Sequence, residues 1–461
     1  MLLVWSQIWL ITKREITANA RNFKILVALM AMTLLSLLSA RAMTVDYENR
    51  LSNWRVNQDR QRDPAVGGDI SYNLADGSFV HGEVFGHTPP IQSPRPFSAL
   101  IKGMSGEMDR AVNVGQQIVF WARQDEPATS AIFNIPDTSF VIKLLVSLFA
   151  LMFSFDTVTQ EKESGTLRAM MSQPVSRSLV IISKSLGASV SLLAPFTASY
   201  FMEIIYLHLA HGLPTGREDL IRALLIFGMA SLYGIVFTQI GIFISTITRQ
   251  TKIAVTTALL TWATIVLILP NAAVLIAKLL TPAPSYNHLN ASLYEERKRF
   301  LQDEAEADRA ARQSTGRIGD QMNLLRLFEI QRQATDDYLT IKKDQNRLAR
   351  LFAALSPAGA LTFGACDLAG TGVDAYNSYL DSFRSDRDVM LDALRRRLDF
   401  PGPEADRLLQ KAHETTAGSR QRAPSLGASA FSFVISITSL VAWGVFFVFA
   451  ACWGFRRYDV R

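Results

Sequence analysis

The chain has 461 residues, 49% of them hydrophobic, and a formal net charge of +6. Its apolar residues are gathered into long runs, which excludes an ordinary string of soluble domains and points to a bilayer, whose hydrocarbon core takes about 20 mostly apolar helical residues to cross. The Lys and Arg residues sit largely beside those runs and are interleaved with acids elsewhere, so the basic balance reads as membrane flanking and not as nucleic-acid binding. Only two cysteines occur, Cys366 in a polar region and Cys452 inside an apolar run, too few for a disulfide framework or a cysteine metal site within one chain.

The first 23 residues form an amphipathic pattern, with Trp5, Ile8, Trp9, Ile11 and Ile16 set against Lys13, Arg14 and Glu15. That pattern predicts an elbow helix lying in the inner membrane interface, and it is too long for the basic start of a signal peptide, so the apolar run that follows is read as an uncleaved first span. Spans are expected at 24–43, 139–157, 179–209, 220–247, 252–280 and 428–455, the third able to bend at Pro195. Six spans put both termini on one side. Lys13, Arg14, Arg21 and Lys24, then Lys162, Arg168, Arg177 and Lys184, then Arg249 and Lys252, and finally Arg456, Arg457 and Arg461 all fall on one face. The bias of basic residues toward the cytoplasm makes that face, both termini and the tail at 456–461 cytoplasmic.

Two long segments then lie outside, 44–138 and 281–427. The first holds an alternating, Gly-containing stretch at Ile70 to Phe85 that predicts a small hairpin, followed by turns at Pro89, Pro90, Pro94 and Pro96. The second is rich in Glu, Arg, Gln, Leu and Ala from Ala291 to Leu355 and predicts one or two long helices, either a solvated charged surface or a binding element. The fold class is therefore an all-α integral membrane protein with six transmembrane helices, an elbow helix and mainly helical extracytoplasmic insertions.

The stretch at 158–178 carries the chemistry. It holds the acidic pair Glu161 and Glu163, the turn Gly165-Thr166, apolar Leu167, Met170 and Met171, and a stop at Pro174. Leu167, Met170 and Met171 stand at three- and four-residue spacing, so they share one helical face that can enter a groove on a partner, with Glu161 and Glu163 meeting basic residues beside it. A bland alternative is a charged loop needed only for topology. The run Glu161-Lys162-Glu163-Ser164-Gly165-Thr166-Leu167 through Ser172, Pro174, Ser176 and Arg177 resembles the signature of ABC-2 type permeases. The second-span run from Phe140 to Asp156, and Asp367 to Gly372 before the last span, extend the likeness to permeases of the nitrous-oxide-reductase-maturation type.

The resemblance implies a fold of ABC-2 exporter type and a cytoplasmic coupling loop whose Glu161, Glu163, Gly165, Thr166, Leu167, Met170, Met171 and Pro174 dock a separate ABC ATPase. It also implies a second permease subunit, itself or a paralogue, and ATP and Mg bound on the ATPase. This chain is expected to hold no cofactor and to be no enzyme by itself. It contains no Gly-rich turn ending in Gly-Lys-Ser/Thr, the string whose backbone amides cradle phosphate. Export across the cytoplasmic membrane is the function implied. Rival readings are a mechanotransmitter acting through the outer helices on envelope proteins, and a membrane scaffold or receptor.

Glu203 in the third span is a candidate intramembrane polar site, the alternative being that it reaches the outer interface. His208 and His211 are taken as interfacial and not as metal ligands. Arg41, Lys143 and Lys278 are expected to snorkel, and Gly228, Gly234 and Gly241 to let helices pack closely.

Overall fold

The computed structural model describes residues 2–62, 93–105, 137–173, 175–211, 216–284, 286–311, 320–399, 407 and 426–457. The hairpin expected at 70–85 and Pro174 lie outside them. Among the described residues six helices are long and apolar enough to cross a membrane. In chain order the elements are α1 (Leu2–Arg21), α2 (Lys24–Arg62), a short 3-10 turn at Pro96–Ala99, α3 (138–154), α4 (Thr159–Glu163), α5 (Thr166–Met171), α6 (Arg177–His211) and α7 (Arg217–Ile247). They continue with α8 (Thr251–Leu280), α9 (Tyr286–Ala311), α10 (Asp320–Ala353), α11 (Pro357–Ala369), α12 (Val373–Asp399) and α13 (Leu426–Arg457).

The elbow helix α1 leaves Trp5, Trp9 and Leu10 exposed on one side. Its other side is bolted to α6: the Thr12 hydroxyl donates to the Ser183 carbonyl at 3.1 Å and the Asn19 amide to the Ser191 hydroxyl at 3.2 Å. Gly187 lets the two helices meet, since a Cβ there would stand 2.6 Å from Cβ of Glu15. Phe23, in the left-handed region at φ 55°, turns the chain into α2. The helix α2 does not stop at residue 43. No Gly or Pro interrupts the next 19 residues, and it continues as one helix of 39 residues, about 58 Å long. Its polar half is pinned to the buried turn at Pro96–Ala99: Arg50, 3% exposed, donates to Asp46 Oδ2 at 2.8 Å and to the Ser98 hydroxyl at 3.1 Å. Lys102 completes the cluster on Asp46 at 3.1 Å.

The helices α3 and α8 each contain one π turn, at Ile142–Val146 and Thr264–Ile268. Such turns leave carbonyls in need of donors, and other elements supply them. The Tyr233 hydroxyl of α7 donates to the Lys143 carbonyl at 2.8 Å, and the Ser356 hydroxyl to the Ile265 carbonyl at 2.9 Å. The helix α6 passes through Pro195 without a break.

The segment 281–427 is not wholly an outer insertion. Ser356 stands at the N-cap position without a side-chain capping bond, Pro357 opens α11, Gly370 in the left-handed conformation ends it, and the helix between is buried along nearly its whole length. Ala358, Ala360, Leu361, Ala365 and Cys366 belong to the same core as the spans, so Cys366 is a core residue and not part of a polar region. The tip of the hairpin formed by α10 and α11 stands halfway along α8 and is held there by α13: Ser439 donates to the Ala354 carbonyl at 2.5 Å and the Trp443 indole to the Leu355 carbonyl at 2.9 Å. Gly364 makes the fit possible, a Cβ there standing 2.7 Å from the Met229 sulfur. Beyond this tip α9, α10 and α12 build a second small core from Leu289, Leu293, Tyr338, Leu339, Tyr379 and Leu380.

Close packing at α7 follows the expectation at two of its three glycines. A Cβ on Gly234 would stand 2.8 Å from Leu192 and 2.9 Å from Val146, and one on Gly241 would collide with Ser154, while Gly228 faces nothing within 4 Å. Gly234→Ala is expected to cost about 1–3 kcal/mol through overpacking and Gly228→Ala to be neutral or stabilising. Thermal unfolding of the detergent-solubilised variants, followed by size-exclusion fluorescence, distinguishes them.

Candidate functional site: the loop between the second and third spans

The chain leaves α3 at Ser154, turns through Phe155–Val158, forms the single-turn helix α4, reverses at Gly165 and forms α5. Gly165 takes φ 75°, a conformation open to glycine without strain, although a Cβ would meet nothing within 4 Å. The requirement is thus one of backbone geometry and not of space.

Charged side chains tie this loop to every other span. Lys24 at the start of α2 donates to Asp156 at 2.7 Å. Lys184 of α6, 3% exposed, lies between Glu161 at 2.9 Å and Glu15 of the elbow helix at 3.4 Å, and also donates to the Thr157 carbonyl at 2.9 Å. Burial raises the Glu15 carboxyl above its ordinary range, and the Lys184 ammonium pulls against that shift. Ser245 near the end of α7 accepts the backbone N–H groups of Val158 and Thr159 at 2.9 and 3.0 Å. Lys162 donates to the carbonyls of Ser245, Thr246 and Thr248, and Glu163 accepts from the N–H and hydroxyl of Thr251 at the start of α8. At the far end of the loop Arg177 donates to the Arg456 carbonyl of α13 at 3.0 Å.

The apolar residues expected to face a partner turn inward instead. Leu167 is 3% exposed and packs with Val158, Ile181, Ile242, Ala451 and Phe455, and Met170 and Met171 are half-buried against the same cluster. The three- and four-residue spacing does give them one face, but the ends of α6, α7 and α13 supply the groove. Likewise Glu161 and Glu163 find their partners within this chain, because the loop lies flat on the helix ends. Glu163 keeps its carboxylate at the surface while bonded to Thr251, and beside it and Ser176 lies an exposed polar strip formed by Ser164, Gly165, Thr166, Arg168, Ala169, Ser172 and Gln173.

Glu203 is fully buried within the protein, accepts from the Thr138 hydroxyl at 2.5 Å, and its second oxygen has no hydrogen-bond partner among the described residues. His208 is exposed, the His211 side chain lies outside the described residues, and no group of three metal-ligating side chains occurs among the described residues. Arg41 and Lys278 are exposed, and Lys143 lies 5.4 Å over the Phe140 ring.

Lys162 and Lys184 stood in the sequence only as topology-setting charges. Their carbonyl and carboxylate partners are distant in the chain, and no spacing rule reaches them. Replacing Lys184 by Met strands two carboxylates, and is expected to cost about 3–5 kcal/mol, as for one partner lost from a buried ion pair. Adding Glu15→Gln and Glu161→Gln should restore part of the loss in the same thermal assay.

A family model of ABC-2 family transporter proteins matches residues 9–460, nearly the whole chain. No curated protein matches it. Six membrane-spanning helices, an elbow, a tied loop between the second and third spans and this match lead to one conclusion: the chain belongs to the ABC-2 family of transporter membrane proteins.

Proposed function

We propose that the chain is the permease subunit of an ATP-driven exporter, that its elbow end faces the cytoplasm, and that a separate ABC ATPase docks on the exposed strip of the loop. The observation that carries the reading is the loop itself, fastened to all five other spans while leaving Thr166, Arg168, Ala169, Ser172 and Gln173 exposed at the surface. A protein that pushes on this strip moves the ends of the whole bundle. ATP and Mg then act on the partner, whose two states shift the membrane equilibrium only by contacting the loop differently. A second permease subunit and lipid cover the outward apolar face of α8, where Leu260, Ile268, Leu275 and Leu279 are exposed.

Affinity purification of the tagged chain from its host membranes tests the docking reading. Wild type should bring an ABC ATPase with it, and Arg168→Glu combined with Ala169→Glu should lose it at least tenfold. Recovery of no ATPase with wild type, or equal recovery with the variant, rejects this surface. Orientation is checked separately: alkaline phosphatase should be active when inserted after residue 315 and inactive when fused after Arg461.

A mechanotransmitter is the second reading, and the tip formed by α10 and α11 favours it. The three side-chain bonds that hold the tip to α8 and α13 connect the outer helices to the middle of the spans, so that span motion is passed to any envelope protein bound there.

A further inference from the structure

Two adjacent residues of the loop, Lys162 and Glu163, grip opposite ends of consecutive spans. The Lys162 ammonium lies on the last carbonyls of α7, at 3.1 Å from Ser245, 2.6 Å from Thr246 and 2.8 Å from Thr248. The Glu163 carboxylate lies on the first residue of α8, accepting from the Thr251 N–H at 2.8 Å and from its hydroxyl at 2.6 Å. Both charges have the sign that complements the helix dipole at that end, a cation at the carbonyl terminus and an anion at the amide terminus. The local sequence leaves the second position open: Gln250, which stands at the N-cap of α8, makes no side-chain capping bond. A residue far away in sequence therefore supplies a cap that most helices take from the residue just before their first turn. The linker between α7 and α8 is only Thr248 to Gln250, so the two grips close a bracket around a three-residue turn.

We propose that Lys162 and Glu163 are positioning residues that make the loop and the cytoplasmic ends of the fourth and fifth spans one rigid body, so that displacement of the loop swings both spans together and without delay between them. This rests on the proposed docking of an ATPase and adds a division of labour within the loop. The exposed strip receives the push and the Lys162–Glu163 pair transmits it, which the family likeness had merged into one docking role for Glu163. A bracket built from two opposite charges on neighbouring residues fixes the distance from loop to α7 and from loop to α8 at once. Loss of either leaves the other span attached.

The test uses the complex purified through a tag on this chain, with spin labels at Gln160→Cys in α4, outside the docking strip, and Arg249→Cys in the turn, measured by double electron–electron resonance without nucleotide and with ATP plus vanadate. A third label site at Lys13→Cys in α1 reports movement of the body as a whole. In the wild-type background the 160–249 distance should be narrow and unchanged by nucleotide, while the 13–249 distance shifts. Lys162→Met with Glu163→Gln should keep ATPase recovery within twofold, broaden the 160–249 distribution, make it nucleotide-dependent, and lose the 13–249 shift. Lys162→Arg with Glu163→Asp should recover both distances in large part. A 160–249 distance that moves with nucleotide in wild type, or stays narrow and fixed in the Met/Gln variant, overturns the inference while leaving docking intact. Variants that lose the ATPase place the pair in the docking surface and overturn it too. A wild-type chain that carries no ATPase brings down the parent reading and this one together.

Discussion

The Lys184 ammonium holds the elbow end of the molecule in one arrangement. It is almost fully buried, and the cost of taking its charge out of water is met by two carboxylates and a carbonyl that come from three different segments: the elbow helix, the turn after α3, and α4. None of these segments has a large core of its own. The helix α4 is a single turn, and α1 reaches the bundle through a row of small and polar contacts on α6. A cation shared by the three fixes their mutual positions, and the apolar cluster around Leu167 packs against the same helix ends.

The two ends of the bundle are built by different means. At the elbow end, charged side chains cap helix termini across short turns, so most of the connections are ionic and directional. At the insertion end, a fully buried run of apolar and small residues, Phe97 to Ile101, wedges between α2 and the start of α3, and α11 fills the space between α7, α8 and α13. Arg222, itself buried, donates to the Leu368 carbonyl at 2.7 Å and so closes the carbonyl end of α11 with a cation.

Much of this was legible in the sequence, and the parts that were not share a cause. Spans, elbow and loop announce themselves through runs of about 20 apolar residues and through Gly165, whose neighbours mark a turn. The continuation of α2 was missed because Asp46, Glu48 and Arg50 look like the start of an outer loop, although no breaker follows them. The helix α11 was missed because its 13 residues are too short to span and too poor in large side chains to stand out, although Ser356-Pro357 and Gly370 are ordinary start and stop signals. For the loop, spacing correctly put Leu167, Met170 and Met171 on one face but could not say which way that face turns. That depends on the ends of α6, α7 and α13, and local periodicity carries no information about them.

The π turn of α8 has a consequence for how that helix meets its surroundings. At about 100° per residue, Ala254 and Ala273 on an uninterrupted α-helix would point about 100° apart, and so would Ala258 and Ala277. All four are buried. The extra residue absorbed at Thr264–Ile268 takes up that offset and brings the four alanines onto one line, so the inner half of the helix shows the protein the same side as the outer half. Without it the chain would have to twist the bundle or expose one pair. A local defect in hydrogen bonding thus keeps a 30-residue helix in phase with itself.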